Sequence, residues 1–455
     1  MAGSADAYRE VAESAWRWVI GQVGWDDGFW IPNAAGDPDV PEDRDGMHAG
    51  IGGLAHVLTE IQLSRPWSAE EHTLADGIAL RIQAGIADRT DCTFFDGLVS
   101  DIGVLTALDP QGTVEAVERL QELAEPDGWP QSFAVPPSYL PDARVNDMTL
   151  GTAGVLLGAL WARRKGVESA TRLAEQAAAV LLAEAVTLPT GLYWPFIPER
   201  FLHEPKSTMP NLSHGLAGVA AALAIAGAEL GRPDLIAAAR SGAEHLVTLT
   251  VSDDQGFVVP RVVPVKEDSD LDPVTYNWCH GPAGTSLLFA ALEHVGVEQV
   301  AGEPPVSWRR RCSHSVRTSG LPERLYPGFW DNDGRCCGTA GVADVLLDSW
   351  QSTGDQVDLE FALRLADTLV ERAVRDGQHT YWQFIEHRNE VPVLPPGVGW
   401  MQGAAGIAAY LFRAARVVDQ GRSAATADRM ENWWAVLATP DLGGGEEGRG
   451  AGSIG

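Results

Sequence analysis

Three cysteines occur beside matching glycine repeats in two consecutive segments, and their thiols are the side chains best suited to chemistry. Cys279 lies in Asn277-Trp-Cys-His-Gly-Pro-Ala-Gly284, and Cys336 and Cys337 lie in Gly334-Arg-Cys-Cys-Gly-Thr-Ala-Gly341. Both segments end in a Gly-x-x-Gly repeat, so we expect the three thiols to converge on one point. Three sulfur ligands with an open fourth position are typical of a catalytic zinc site.

The remaining cysteines and one neighbouring histidine bear on this prediction. His280 directly follows Cys279 and stays open as an alternative ligand to Cys337. Cys92 and Cys312 do not directly precede a Gly-x-x-Gly repeat, and we expect them to be inert core residues, as buried cysteines usually are. Five cysteines in 455 residues are few and odd in number, which opposes a disulfide framework.

A histidine and a carboxylate precede the glycines of the two earlier repeats. His214 lies in Asn211-Leu-Ser-His-Gly-Leu-Ala-Gly218, and Asp147 lies in Asn146-Asp-Met-Thr-Leu-Gly151. An imidazole and a carboxylate at the mouth of a cavity can transfer protons, so both are candidate catalytic residues. For Asp147, helix capping is an equally good explanation, since an aspartate before a helix accepts backbone N–H bonds.

The elements that must position these residues come from a repeat. Gly-x-x-Gly opens an alanine- and leucine-rich segment of helical period six times, and a degenerate copy at residues 97–100 makes seven. Glycines three apart share a helix face and would let neighbouring helices approach closely. One helical hairpin buries too little surface alone, so the repeats must stack, either as an open solenoid or as a closed toroid. The six full copies begin at Gly50, Gly151, Gly215, Gly281, Gly338 and Gly403.

Glycine and aromatic residues occur together before many repeats. We expect these short stretches to be turns or hairpins that join an outer helix to the next inner helix. The predicted fold is therefore all-α, an (α/α)7 toroid with short β-hairpin or turn insertions, in one domain over residues 1–438. The glycine-rich stretch at 439–455 is expected to be a disordered tail. The aromatic stretches are residues 25–30, 127–129, 191–194, 328–330 and 380–382.

Charge and hydropathy exclude several classes of protein. The formal net charge of -29 opposes binding to nucleic acid or to an anionic membrane, both of which need basic patches. The N-terminus is polar and lacks the apolar segment of a signal peptide, and no apolar run reaches transmembrane length. The sequence predicts a cytoplasmic protein.

Several motifs together resemble one known family. Ser213-His-Gly, Trp278-Cys-x-Gly, a cysteine two residues before Gly338, and Trp400-Met-Gln-Gly-Ala-Ala-Gly406 resemble the lanthionine synthetase C-like family in their order over essentially the whole chain. The resemblance implies a double ring of helices with zinc at one end. It implies zinc ligation by Cys279, Cys336 and Cys337, and active-site roles for His214 and Asp147.

The activity implied is that of a lanthipeptide cyclase. Zinc would bind a cysteine of a dehydrated precursor peptide as thiolate, and the thiolate would attack a dehydroalanine or dehydrobutyrine to form a thioether ring. Since no dehydratase segment is visible, a separate dehydratase partner is expected. Two departures from the family stand out: Cys337 replaces a common histidine, and Thr275 replaces an arginine often found four residues before Cys279.

Other functions remain open on the sequence alone. A zinc-stabilised toroid could bind a peptide or organise a biosynthetic complex without catalysis. Within the family, glutathione could be added to dehydrated proteins in place of ring closure. A glycosidase would need paired carboxylates, and Asp147 has no convincing partner of that kind.

Overall fold

Helices account for most of the regular structure in the chain. The computed structural model describes residues 3–25, 28–37, 40–41, 44–131, 139–204, 207–253, 255–265, 272–323, 332–386 and 390–436. Fourteen α-helices fall within these ranges. In chain order they are α1 Ala5–Ile20, α2 Leu54–Gln62, α3 Ala69–Gly85, α4 Leu98–Leu108, α5 Thr113–Glu122, α6 Thr152–Arg164, α7 Ala170–Ala183, α8 Leu216–Glu229, α9 Pro233–Val247, α10 Pro282–His294, α11 Pro305–Thr318, α12 Thr339–Thr353, α13 Gln356–Arg372 and α14 Ala404–Gln420.

Alternate helices form two concentric rings. Each even-numbered helix contacts the next even-numbered helix, and α14 returns to contact α2, so these seven helices close an inner ring. The odd-numbered helices pack around it, for example α7 on α6 and α9 on α8. The N-terminal helix α1 packs on α14 and so completes the last hairpin. The prediction of an (α/α)7 toroid is confirmed, and of the two alternatives the chain adopts the closed one.

The two rings differ in composition for a physical reason. In α8, every residue from Leu216 to Gly227 is buried, and a helix that is apolar on all sides is stable only inside a protein. The outer helices bury one face and have strong start signals. Pro233 occupies the first turn of α9, and Ser68 and Glu71 form a capping box at the start of α3.

The glycine–aromatic stretches lie at the ends of outer helices. Two of them are antiparallel hairpins, which follow α7 and α13. Tryptophans in three stretches donate an indole N–H bond to a carbonyl near the end of the preceding outer helix, so the aromatic residues cap these helices. The bonds are Trp129 to Leu120 at 2.8 Å, Trp194 to Leu181 at 2.6 Å and Trp382 to Leu369 at 2.8 Å.

Six short strands make up the sheet structure of the described residues. They pair only as two-stranded antiparallel ribbons, in agreement with the predicted insertions. Of the predicted turns, residues 26–27 of the first and all of residues 328–330 lie outside the described residues. The strands are β1 Val186–Leu188, β2 Gly191–Tyr193, β3 Val374–Asp376, β4 His379–Tyr381, β5 Phe384–Ile385 and β6 Val393–Leu394.

A segment after α14 runs inside the inner ring. This interior segment, residues 424–436, contacts several inner helices, of which α10 is a neighbour of neither α4 nor α6. Met430 faces Gly103 of α4, Trp433 packs at 5.6 Å from Trp161 of α6, and Trp434 donates to the Leu287 carbonyl of α10 at 3.1 Å. The interior segment therefore fills the centre of the toroid.

The main hydrophobic cluster draws residues from Ala5 to Ala435. The predicted division into a domain over 1–438 and a disordered tail over 439–455 stays a prediction, because the tail lies outside the described residues. Among the helices that the structure describes, none combines the length and apolar character needed to cross a membrane.

Candidate metal centre

A closed ring of backbone hydrogen bonds surrounds the mouth at which the inner helices begin. We call it the mouth ring. Each of its seven loops donates an N–H to a carbonyl of the next loop, at N···O distances of 2.8 to 3.3 Å, and the seventh loop donates to the first. The carbonyl always belongs to the residue two positions before the glycine that precedes an inner helix. These carbonyl residues are His48, Phe95, Thr149, Ser213, Cys279, Cys336 and Met401.

The glycine repeats make this tight arrangement possible. An added Cβ on Gly284 would lie 1.8 Å from the Trp278 carbonyl oxygen, and one on Gly341 would lie 1.8 Å from the Arg335 carbonyl oxygen. Each glycine thus lies against the backbone of its own preceding loop, where no side chain fits. Contact with the neighbouring loop is looser, because the same added Cβ on Gly284 would lie 3.1 Å from the Cβ of Leu212, which precedes α8. Close helix packing, which the sequence suggested, is therefore the lesser reason for the repeat.

The mouth ring brings the three predicted cysteine ligands together. The Cys337 sulfur lies 3.5 Å from that of Cys279 and 3.2 Å from that of Cys336. All three sulfurs lie within 4.8 Å of one another, and all three residues are buried. Sulfurs in a tetrahedral site with Zn–S bonds of about 2.3 Å are about 3.8 Å apart. The donor set and its spacing therefore fit a metal ion that prefers sulfur.

The three thiols differ in acidity because of their mutual contacts. Hydrogen bonds from Cys279 and Cys337, joined by one from His48, lower the pKa of Cys336 well below its usual range. The pKa values of Cys279 and Cys337 are raised, because each shares a hydrogen bond with a neighbouring thiol and is buried. By contrast, burial in the core raises the pKa of Cys92 to about 12. Cys336 is therefore the thiol of the cluster that most readily carries a negative charge, the form in which sulfur binds a metal ion.

His214 and Asp147 form a hydrogen-bonded pair at the same mouth. His214 Nδ1 lies 2.7 Å from Asp147 Oδ2 and 2.9 Å from the Thr149 hydroxyl. Asp147 is fully buried, whereas 28% of the His214 side chain is exposed. Since Nδ1 is occupied by the carboxylate, Nε2 is the nitrogen left for a substrate. The second Asp147 oxygen accepts the Leu150 N–H at 2.8 Å, so the carboxylate serves both the turn and the histidine.

His280 lies beside His214 and outside the sulfur cluster. The two rings are 5.5 Å apart, and His280 is not a member of the cluster of three sulfurs. Burial and the proximity of His214 lower the pKa of His280 to about 3, so its imidazole is neutral at physiological pH. The buried His280 Nδ1 has no hydrogen-bond partner among the described residues.

A match to a family model covers most of the chain. The model describes a lanthionine synthetase C-like protein and matches residues 41–419. The chain belongs to the lanthionine synthetase C-like family. No curated protein sequence matches this family member closely enough to serve as a relative.

Two solved structures have a fold similar to that of this lanthionine synthetase C-like protein. Nisin cyclase is similar with a TM-score of 0.55 and 14% identity, over 82% of this chain and 89% of that one. The Lin0763 protein from Listeria innocua is similar with a TM-score of 0.51 and 12% identity, over 90% of this chain and 97% of that one. At these identities the comparison concerns the helical toroid alone.

The geometry of this lanthionine synthetase C-like protein includes two residues that sequence reasoning missed. His48 hydrogen bonds to the Cys336 sulfur from the first repeat, and Thr149 bridges Asp147 and the Ser213 carbonyl, both at 3.0 Å. Both residues stand two positions before a helix-starting glycine, as Cys279 and Cys336 do. That shared offset was the signal that could have identified them.

Proposed function

We propose that this chain is a zinc-dependent lanthipeptide cyclase, which adds peptide cysteine thiols to dehydroalanine or dehydrobutyrine residues. One observation carries the proposal: three buried sulfurs within 4.8 Å of one another share a mouth with a histidine–aspartate pair at 2.7 Å. The sulfurs suit a metal that activates a thiol, and the pair suits the proton transfer that follows. The family assignment agrees with this chemistry.

Cys279, Cys336 and Cys337 would hold the ion and leave its fourth position for substrate. Bound there, zinc would supply a Lewis acid that keeps a substrate cysteine as thiolate near neutral pH. The low exposure of the three ligands, 5%, 8% and 9%, keeps bulk water from most of the cluster. His48, through its bond to Cys336, would orient that ligand, as groups that hydrogen-bond to a metal ligand commonly do.

His214 would transfer a proton to the dehydrated residue that accepts the thiolate. The carboxylate of Asp147 and the hydroxyl of Thr149 fix its ring through Nδ1, so Nε2 would donate to the α-carbon or to the enolate oxygen. Burial of Asp147 means that this orientation is held by a group shielded from water. The neutral His280 adds no charge next to His214.

The reaction balances without an oxidant or reductant. The substrate sulfur loses its proton and forms a bond to the β-carbon, while the carbon–carbon π bond breaks and places an electron pair on the α-carbon. One proton then returns to the α-carbon. Substrate and product have the same mass. The unsaturated residue must be made beforehand by loss of water from serine or threonine, so we propose that a separate dehydratase supplies the peptide.

The test is a thiol count on a dehydrated peptide. Zinc-loaded protein is incubated with peptides that contain one cysteine and one dehydroalanine at varied spacing, and free thiols are then alkylated and counted by mass spectrometry. We expect thiols to disappear without a change in peptide mass. Binding of peptide with an unchanged thiol count would instead indicate a scaffold, and a mass gain of one glutathione, in a parallel reaction that contains it, would indicate intermolecular addition.

Replacement of Cys337 by histidine tests the value of the third thiolate. With substrate bound, a zinc ion and four thiolates would form a site of formal net charge about -2, so each sulfur should be a better nucleophile than beside an imidazole. We expect Cys337→His to retain metal but to cyclise about 10-fold more slowly, equivalent to about 1.4 kcal/mol. Single-turnover rates with equal metal loading provide the measurement. Equal or faster turnover would contradict the idea.

A further inference from the structure

A cluster of buried charges lies below the Cys336–Cys337 turn, and the proposed chemistry does not use it. We call it the arginine–aspartate network. Its members come from the turn at residues 334–337, which we call the metal turn, from α12, from α14 and from the interior segment, and all are buried. They are Arg335, Asp344, Asp348, Arg413 and Arg429.

The network begins at the residue next to a proposed metal ligand. The backbone N–H groups of Arg335 and Cys336 both donate to the Met401 carbonyl at 2.8 Å. The Arg335 guanidinium lies 4.1 Å from the ring centre of Trp400 and donates to Asp344 Oδ2 at 2.6 Å. Both the backbone and the side chain of Arg335 are thus held in place, and the direction of the following cysteines depends on that placement.

Asp344 is held in turn from two sides. Arg413 of α14 donates to its Oδ1 at 2.5 Å, and Arg429 of the interior segment donates to its Oδ2. Arg429 also donates to Asp348 at 2.8 Å through its other terminal nitrogen. Although burial opposes ionisation, Arg429, Arg335 and Arg413 hold the pKa of Asp344 well below its usual range. Arg429 therefore bridges two aspartates and connects the interior segment to the metal turn.

Stability alone is a poor explanation for this network. Replacing buried ion pairs by well-packed apolar residues is often neutral or stabilising. Here three guanidinium groups face two aspartates, and a third carboxyl, Glu431, is 4.0 Å from Arg429. The network instead fixes the side chain of Arg335, the residue next to Cys336.

We infer that Asp344 and Arg429 are positioning residues of the metal centre, and that they act through Arg335 to fix Cys336 and Cys337. This inference rests on the proposed metal site. It makes the interior segment part of that site, although Arg429 lies 85 residues from Asp344 in the sequence. Loss of a group that hydrogen-bonds to a metal ligand typically weakens metal binding by about 10- to 100-fold. Arg429 contacts the ligands only through Asp344 and Arg335, so we expect a loss of about 10-fold for Arg429→Met.

The experiment is a double-mutant cycle on metal affinity. Zinc dissociation constants are measured by chelator competition for the wild type, Arg335→Met, Arg429→Met and the double variant. If Arg429 acts through Arg335, the double variant binds zinc about as weakly as Arg335→Met alone, because coupled residues are not additive. The cobalt(II) absorption spectrum gives a second readout. We expect Arg429→Met to shift its thiolate and ligand-field bands.

Arg416 provides a matched control. It is a buried arginine of α14 that pairs with Glu60 and donates to the Ala425 carbonyl of the interior segment at 3.1 Å. Arg416→Met thus loses a buried ion pair and a contact to the same segment, but leaves the network intact. Thermal unfolding of the metal-free proteins shows whether the two variants lose comparable stability. Should Arg429→Met not fold, Arg429→Lys keeps one charge but cannot bridge two carboxylates.

The outcomes separate the inference from the metal site itself. Weaker zinc binding and an altered cobalt spectrum in Arg429→Met but not in Arg416→Met, together with non-additivity, would support positioning. Equal effects of the two variants, or additive effects of Arg335 and Arg429, would overturn positioning and leave the metal site standing. Absence of zinc binding by the wild type would overturn the metal centre, and the inference with it.

Discussion

Alanine at any one of Cys279, Cys336 and Cys337 should reduce bound zinc from about one ion per chain to near none. The three sulfurs lie within 4.8 Å of one another, and a catalytic zinc site has only three protein ligands. Removing one leaves two thiols and a buried gap, so affinity should fall by several orders of magnitude. Elemental analysis of freshly purified protein, without added metal, is the measurement, and cyclisation should be lost in parallel.

Cys312 is the control for this series. It is a fully buried cysteine of α11, and burial raises the pKa of its thiol, so it should not bind metal. Cys312→Ala should keep the full zinc content even if it loses some stability. A zinc content that does not change when the three cluster cysteines are replaced, or the absence of zinc from the wild type, would contradict the metal centre. Either result would favour a scaffold.

Asparagine at His214 should slow cyclisation by about 10²- to 10⁴-fold, the usual contribution of a positioned acid or base. Zinc content should stay unchanged, because His214 is not a member of the sulfur cluster. The rate should fall at saturating peptide, since the lost interaction belongs to proton transfer rather than to binding. The measurement combines single-turnover kinetics with metal analysis of the same sample.

His245 is a matched control for His214. It also lies next to a threonine hydroxyl, with Nδ1 2.8 Å from Thr190, but on outer helix α9. His245→Asn should cyclise at the wild-type rate. The role of His214 would be contradicted if the His214 variant also kept its rate, or if it slowed only in proportion to lost zinc.

The candidate site residues could be selected from the sequence because most of them stand at a fixed distance before a glycine repeat. Cys279 and Cys336 stand two positions before a helix-starting glycine, and His214 and Cys337 stand one position before. In a closed repeat, residues at the same distance before their glycines lie near one another in space. The convergence of these side chains could therefore be predicted. Asp147, at a different offset, was open to a second explanation, and the structure shows its two oxygens in two different contacts.

Contacts that do not follow from the position of a residue within the glycine repeat could not be predicted. The interior segment has no helical period, and nothing in its sequence places Arg429 beside Asp344 of α12. His48 does share the offset of Cys279 and Cys336 from a helix-starting glycine, but its contact with Cys336 also depends on the closure of the mouth ring between the last loop and the first. Likewise, the choice of Cys337 over His280 within the sulfur cluster depends on how two adjacent loops turn, and sequence spacing does not determine that.

The mouth ring has a consequence for the order of events during synthesis. Met401 accepts the Cys336 N–H and donates to the His48 carbonyl, so the loop that carries two of the three thiols is anchored by the last repeat and, through it, by the first. A nascent chain that has emerged only as far as Cys337 holds all three thiols but lacks that anchor. Contacts between distant parts of a chain form late because loop closure is costly. We therefore expect metal to be acquired only after α14 has docked, so that an incomplete chain does not capture the ion in a distorted site.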